Sequence, residues 1–101
     1  MMIDAMIALV KATGMSRAHI ARLKCSDLSV GGTILEINNQ KKKIIVSDYS
    51  LVYPIIGYHR NRIIEAGNPE ALLFPISMNT MSRQFKKMTG CTIQEYNDTK
   101  I

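Results

Sequence analysis

Apolar residues fall at Ile3, Met6, Ile7 and Val10, the i, i+3, i+4, i+7 pattern of a helix with one buried stripe. Thr13-Gly14 closes it, because glycine takes the positive φ of a helix C′ position without steric cost. Ser16 supplies an N-cap oxygen for a second helix. Its apolar face is Ile20 and Leu23, and it ends near Cys25, with Ser26-Asp27 as the turn that leaves it. Gly31-Gly32 breaks the helical pattern. Ile34, Glu36 and Asn38 then alternate with Thr33, Leu35 and Ile37, which predicts a strand. The polar run Asn38-Asn39-Gln40-Lys41 predicts a turn and the β-branched stretch Lys43 to Val46 a returning strand, so the pair forms a hairpin with a basic tip. Ser47-Asp48 ends it. Ser50 is the expected cap of a third helix, with Pro54 in its first turn and Leu51, Ile55, Tyr58 and Arg62 in line. Val52, Ile56, Ile63 and Ile64 line up roughly at the same spacing. Gly67-Asn68-Pro69 predicts a loop, and Leu72-Leu73-Phe74 a short apolar segment stopped by Pro75. A fourth helix is expected from Asn79 or Thr80, with Met81, Phe85 and Met88 as its buried stripe, until Thr89-Gly90. A last short turn or helix runs from near Thr92 to the end. The order predicts an α+β fold, mainly helical with a small antiparallel β-hairpin or sheet.

At 101 residues the chain has room for one domain, 1–101. An apolar fraction of 47% with 21% charged residues excludes a disordered chain. The longest purely apolar run, Ala5 to Val10, is far short of the roughly 20 residues that span a bilayer. No basic stretch precedes an apolar signal core, so a cytoplasmic protein with no membrane partner is expected. Cys25 and Cys91 make no C-x-x-C pair and stand near no histidine at zinc spacing, so both are read as reduced thiols. His19 and His59 are isolated and read as surface or internally satisfied side chains. There is no phosphate-cradling glycine loop and no nucleophile elbow. No metal and no cofactor is expected.

Thirteen Lys and Arg against eight Asp and Glu give a charge of +5, which favours polyanionic partners, since each cation set against a phosphate releases counterions. The cations are grouped: Lys11, Arg17, Arg22 and Lys24; Lys41, Lys42 and Lys43; Arg60 and Arg62; Arg83, Lys86 and Lys87.

The run Thr13-Gly14-Met15-Ser16-Arg17-Ala18-His19-Ile20-Ala21-Arg22-Leu23-Lys24-Cys25-Ser26-Asp27-Leu28 resembles the first signature box of the tyrosine recombinases, or phage-type integrases. That box reads Thr-Gly-Leu/Met-Arg-x-x-Glu-Leu/Ile-x-x-Leu-x-Trp-x-Asp-Ile/Leu. The hairpin with Lys41–Lys43 resembles the one that carries the family's active-site lysine, for which Lys41 is the best match and Lys42 or Lys43 the alternatives. Leu72-Leu73-Phe74-Pro75 resembles the family's Leu-Phe-Pro, and Thr92 to Thr99 stands in the place of the second box, Thr-Pro-His-Asp-Leu-Arg-x-Thr. The resemblance covers nearly the whole chain in the right order and implies the fold of a recombinase catalytic core.

It also implies a function on double-stranded DNA: integration or site-specific recombination of a phage or other mobile element. In the family, two arginines clamp the scissile phosphate, a hairpin lysine protonates the leaving oxygen, and a tyrosine attacks phosphorus. Here the first arginine position is Ser16, with Arg17 turned by about 100° on the helix. The box glutamate is His19 and the tryptophan is Cys25. In the second box Gln94 replaces the histidine and Asn97 the arginine, and neutral amides cannot supply the charged fork that an arginine offers a phosphate. Tyr96 sits at an apolar position of the box and is read as packing; Tyr49, Tyr53 and Tyr58 are upstream; the chain ends at Ile101, ahead of the place expected for the nucleophile. An incomplete, inactive relative that still binds DNA is the expectation. Its phosphate contacts would be Arg17, Arg22, Lys24, Lys41, Lys42, Lys43, Arg83, Lys86 and Lys87.

A second resemblance concerns the tail. Met81-Ser82-Arg83-Gln84-Phe85-Lys86-Lys87-Met88-Thr89-Gly90-Cys91-Thr92-Ile93-Gln94-Glu95-Tyr96 is similar to the closing helix of AraC-type regulators, Phe-Ser-Arg-x-Phe-Lys-Lys-x-x-Gly-x-Thr-Pro-x-Glu-Tyr. With Gly14 to Leu23 as recognition helix, it implies a fragment of a helix-turn-helix transcription regulator. The hairpin and Leu72–Pro75 stand where that family has a helical linker. A homo-oligomer on DNA, formed through an exposed apolar patch, is a further expectation.

Overall fold

The computed structural model describes residues 2–31, 34–39 and 42–99. Gly32 of the glycine break, Thr33 of the expected strand, and Gln40 and Lys41 of the hairpin tip lie outside these residues, as do Lys100 and Ile101 at the end of the last element. The chain folds as α1 (Met2–Thr13), α2 (Arg17–Arg22), a 3-10 turn (Cys25–Asp27), β1 (Leu28–Gly31), β2 (Ile34–Asn39), β3 (Lys42–Val46), α3 (Tyr49–Ala66), α4 (Met78–Thr89) and α5 (Ile93–Thr99). The fold is α+β, mainly helical, with one small antiparallel sheet. Among the described residues no helix is long and apolar enough to cross a membrane.

Helix α1 buries Ala5, Met6, Ala8, Leu9 and Val10. Gly14, at φ +68°, ends it with its amide on the Val10 carbonyl at 2.9 Å. Ser16 caps α2 as expected: its Oγ accepts from the His19 amide.

The sheet has the order β1-β2-β3. The expected hairpin is present, and β1 adds a third strand, with Leu28 opposite Ile37 and Val30 opposite Leu35. In the β2–β3 pair Leu35 faces Val46 and Ile37 faces Ile44. Leu28, Leu35, Ile37 and Val46 are buried and give the sheet its core face. The other face presents Ser29, Glu36 and Ile45 in one row across the strands.

Four helix details differ from the sequence expectation. Asp48, not Ser50, caps α3, taking the Ser50 amide on Oδ1 at 3.1 Å. Pro54 therefore stands past the first turn, where its missing N–H leaves the Ser50 carbonyl without its helical donor; Ser50 is exposed, so water can serve that carbonyl. Ser77 caps α4, ahead of Asn79 and Thr80, by accepting from the Thr80 amide. Met88 is 58% exposed, whereas Ile93 of α5 is buried in the core.

The buried apolar residues of α1, α3, α4, the sheet and the 73–74 segment form one cluster centred on Met6, Leu9, Ile37, Ile55, Phe74 and Phe85. The ring of Tyr58 stacks on Phe74 at 5.2 Å, and Tyr96 meets Phe85 edge-on at 6.0 Å, the packing role assigned to Tyr96 from the sequence.

Candidate nucleic-acid interface

The two positions matched to the family arginines lie at one corner of the molecule. Asn97 on α5 donates through Nδ2 to the carbonyl of Met15, the residue before Ser16, at 3.1 Å and across 82 residues of chain. Its Oδ1 is buried and accepts no hydrogen bond from the described residues, an arrangement that typically costs about 1–3 kcal/mol. Ser16 is occupied locally: besides the cap, its Oγ lies 2.9 Å from His19 Nδ1. Beside it, Arg17 donates from Nη1 to Ser82 Oγ of α4 at 3.2 Å, so α2 and α4 are joined at a cationic edge. Gln94 is exposed on α5.

Helix α5 owes its start to a reciprocal cap. Glu95 Oε1 accepts from the Thr92 amide at 2.9 Å, and Thr92 Oγ1 accepts from the Glu95 amide at 3.1 Å. Hydrogen bonding of the charged carboxylate by the Thr92 amide, and next by the Thr92 side chain, holds Glu95 below the ordinary glutamate range, with burial opposing and Lys86 assisting. Lys86 therefore stands within electrostatic reach of the corner.

The cations predicted to contact phosphate separate into distinct settings. Arg83, Lys86 and Lys87 are exposed on α4, within an arc of about 100° opposite buried Met81 and Phe85. Lys87 also edges a shallow cleft with Met2, Ile3, Gln84 and Met88. Arg22 is exposed at the end of α2. Lys24 pairs with Glu70 at 3.5 Å and Lys43 with Glu36 at 3.6 Å, both exposed pairs that add little stability. Lys42 is in β3, its backbone opposite Asn39. Lys41 lies outside the described residues. The structure thus brings Arg17 against α4, beside the α4 cations, and sets Lys24 and Lys43 against carboxylates.

The sequence reading missed a polar clip beneath α3. Residues 23–26 and 69–73 run side by side: the Cys25 amide donates to Ala71 O, the Ser26 amide to Pro69 O and the Leu73 amide to Leu23 O. From α3, Tyr58 Oη donates to Leu73 O at 2.6 Å, His59 Nε2 to Cys25 O at 2.8 Å and Arg62 Nε to Leu72 O at 3.0 Å. The only signal for this in the sequence is Tyr58 and Arg62 on the apolar line of α3. Burial pushes the Cys25 thiol and the Tyr58 hydroxyl up, with Arg62 opposing in both, so neither is activated as a nucleophile. Among the described residues no three His, Cys, Asp or Glu side chains group as metal ligands.

No family model matches the chain, and no curated protein or solved structure matches it significantly.

Proposed function

We propose that this chain is a DNA-binding domain of tyrosine-recombinase type that grips duplex DNA without cutting it. The observation that carries the reading is the meeting of Asn97 with Met15-Ser16, because the two arginines of that family must converge on one phosphate from the same pair of chain positions. The cationic edge of Arg17 and α4, and the strand hairpin that follows the first box, support it. Catalysis is argued against by the residues themselves. Ser16, Gln94 and Asn97 carry no charge for a transition-state phosphate, and Ser16 and Asn97 are committed to hydrogen bonds within the chain. In the helix-turn-helix alternative, β1–β3 stand between α2 and α3 in place of a helical linker.

The test is titration of a fluorescent duplex at several salt concentrations. Binding whose log K falls linearly with log salt is expected. A nicked suicide substrate should give no covalent adduct. Absence of any duplex binding at low salt overturns the reading, and an adduct overturns its non-cutting half.

A further inference from the structure

Helix α3 buries Val52 and Ile55 in the core, yet it also keeps apolar and aromatic side chains on its outer side. Its inner side carries the polar donors Tyr58, His59 and Arg62, while Tyr49, Tyr53 and Ile64 face outward at 57%, 66% and 74% exposure. With Gly57 and Arg60, also exposed, these residues fall at spacings of four, four, three and four. At about 100° per residue they share an arc of about 80°, a single seam some 22 Å long. Tyr49 and Tyr53 already meet, with ring centroids 5.7 Å apart.

Gly57 stands in the middle of this seam, and no close approach among the described residues calls for a glycine there. A Cβ added to it meets nothing within 4 Å, and glycine in a helix interior is disfavoured against alanine. Gly57 borders a groove of about 450 Å³ together with Tyr53 and Arg60 on α3 and Asp4 on α1. A notch of that kind lets a second helix approach closely.

We infer that the α3 seam docks on the α3 seam of a second copy of this chain, antiparallel, about a two-fold axis between residues 56 and 57. The seam is complementary to itself in that register and in no parallel one. About this axis Tyr49 faces the second copy's Ile64, and Tyr53 faces its Arg60, an aromatic face under a guanidinium. The two Gly57 positions come together at the crossing, and each Tyr53 ring enters the other copy's groove. A parallel pairing would instead set Arg60 against Arg60. The contact is one helix wide, below the area of a standard interface, so the dimer is weak, with dissociation on the order of 100 μM or above. The inference does not rest on the DNA-binding reading.

Sedimentation over a concentration series up to millimolar tests it. A monomer–dimer equilibrium is expected for the wild type. Ile64→Gln and Gly57→Gln should each weaken it at least tenfold, with Gly57→Gln melting no lower than the wild type because glutamine is the better helix former. A strict monomer at millimolar concentration, or unchanged dimerisation in both variants, overturns it. Register is read by oxidation in a Cys91→Ser background. A mixture of Tyr49→Cys and Ile64→Cys proteins should cross-link to each other, and each alone should not. Cross-linking of either alone, or none in the mixture, overturns the antiparallel pairing.

Discussion

Helix α4 turns Met81 and Phe85 inward and Arg83, Lys86 and Lys87 outward, whereas α3 turns Tyr58, His59 and Arg62 inward and Tyr49, Tyr53 and Ile64 outward. The difference follows from what each helix covers. Beneath α4 lies apolar core. Beneath α3 lies also the clip of residues 23–26 and 69–73, whose partly buried carbonyls at Cys25 and Leu73 need donors and whose more exposed Leu72 carbonyl takes one from Arg62. The inner side of α3 is shared between the core, through Val52 and Ile55, and those carbonyls, and its outer apolar residues lie away from both. They are a surface, and α4's outer cations are a surface of another kind.

The largest effect expected is at α4's inner face. Phe85 is fully buried and meets Tyr96 edge-on, so Phe85→Ala should cost about 3–5 kcal/mol in chemical denaturation. A loss under 1 kcal/mol would mean α4 does not hold the core. At α3's inner face the corresponding change is smaller, because one hydrogen bond rather than a packed ring is removed. Tyr58→Phe keeps the stack on Phe74 and deletes the donor to Leu73 O, with an expected loss of about 1–2 kcal/mol. If it is neutral, the clip does not depend on α3. At α3's outer face the sign reverses: Gly57→Ala should raise the stability of the dilute monomer by about 0.5–1 kcal/mol, since the added methyl meets nothing. A destabilised variant would show that Gly57 has a conformational role inside the chain.

Much of the local structure was legible in the sequence, and what was not has identifiable causes. The α1 stripe, the Ser16 cap and the β2–β3 hairpin follow from spacing and cap chemistry, which act within a few residues. Strand β1 was not legible, because Leu28-Ser29-Val30-Gly31 alternates only twice and becomes a strand by pairing with β2. Met88 repeats the spacing of Met81 and Phe85, yet it is exposed, while Ile93, which lies after a turn, is buried. The candidate corner was legible as two separate boxes. Their contact through Asn97 and Met15 spans 82 residues and no local pattern contains it. The inner role of Arg62 was half legible: its place on the apolar line showed, but the Leu72 carbonyl it serves did not.

The smallest effect on folding is expected at α4's outer face, and it separates the two helices most directly. Arg83, Lys86 and Lys87 are exposed and none touches the clip, so replacing all three with alanine should leave stability within about 0.5 kcal/mol. The same variant should change duplex binding. Each phosphate contact adds about 0.9 to the steepness of log K against log salt, so losing contacts must flatten the plot as well as weaken binding. Arg17 remains in this variant, held against Ser82, so some salt dependence should persist. A weaker complex with an unchanged slope would mean that α4 shapes the surface without meeting phosphate. An unchanged complex would move the DNA away from α4 altogether and leave the cationic edge without a role. If instead the outer α3 variant Ile64→Gln, which alters no charge, flattens the plot, then the division of labour between the two helices is wrong, because duplex contact and the α3 seam would not be separate surfaces.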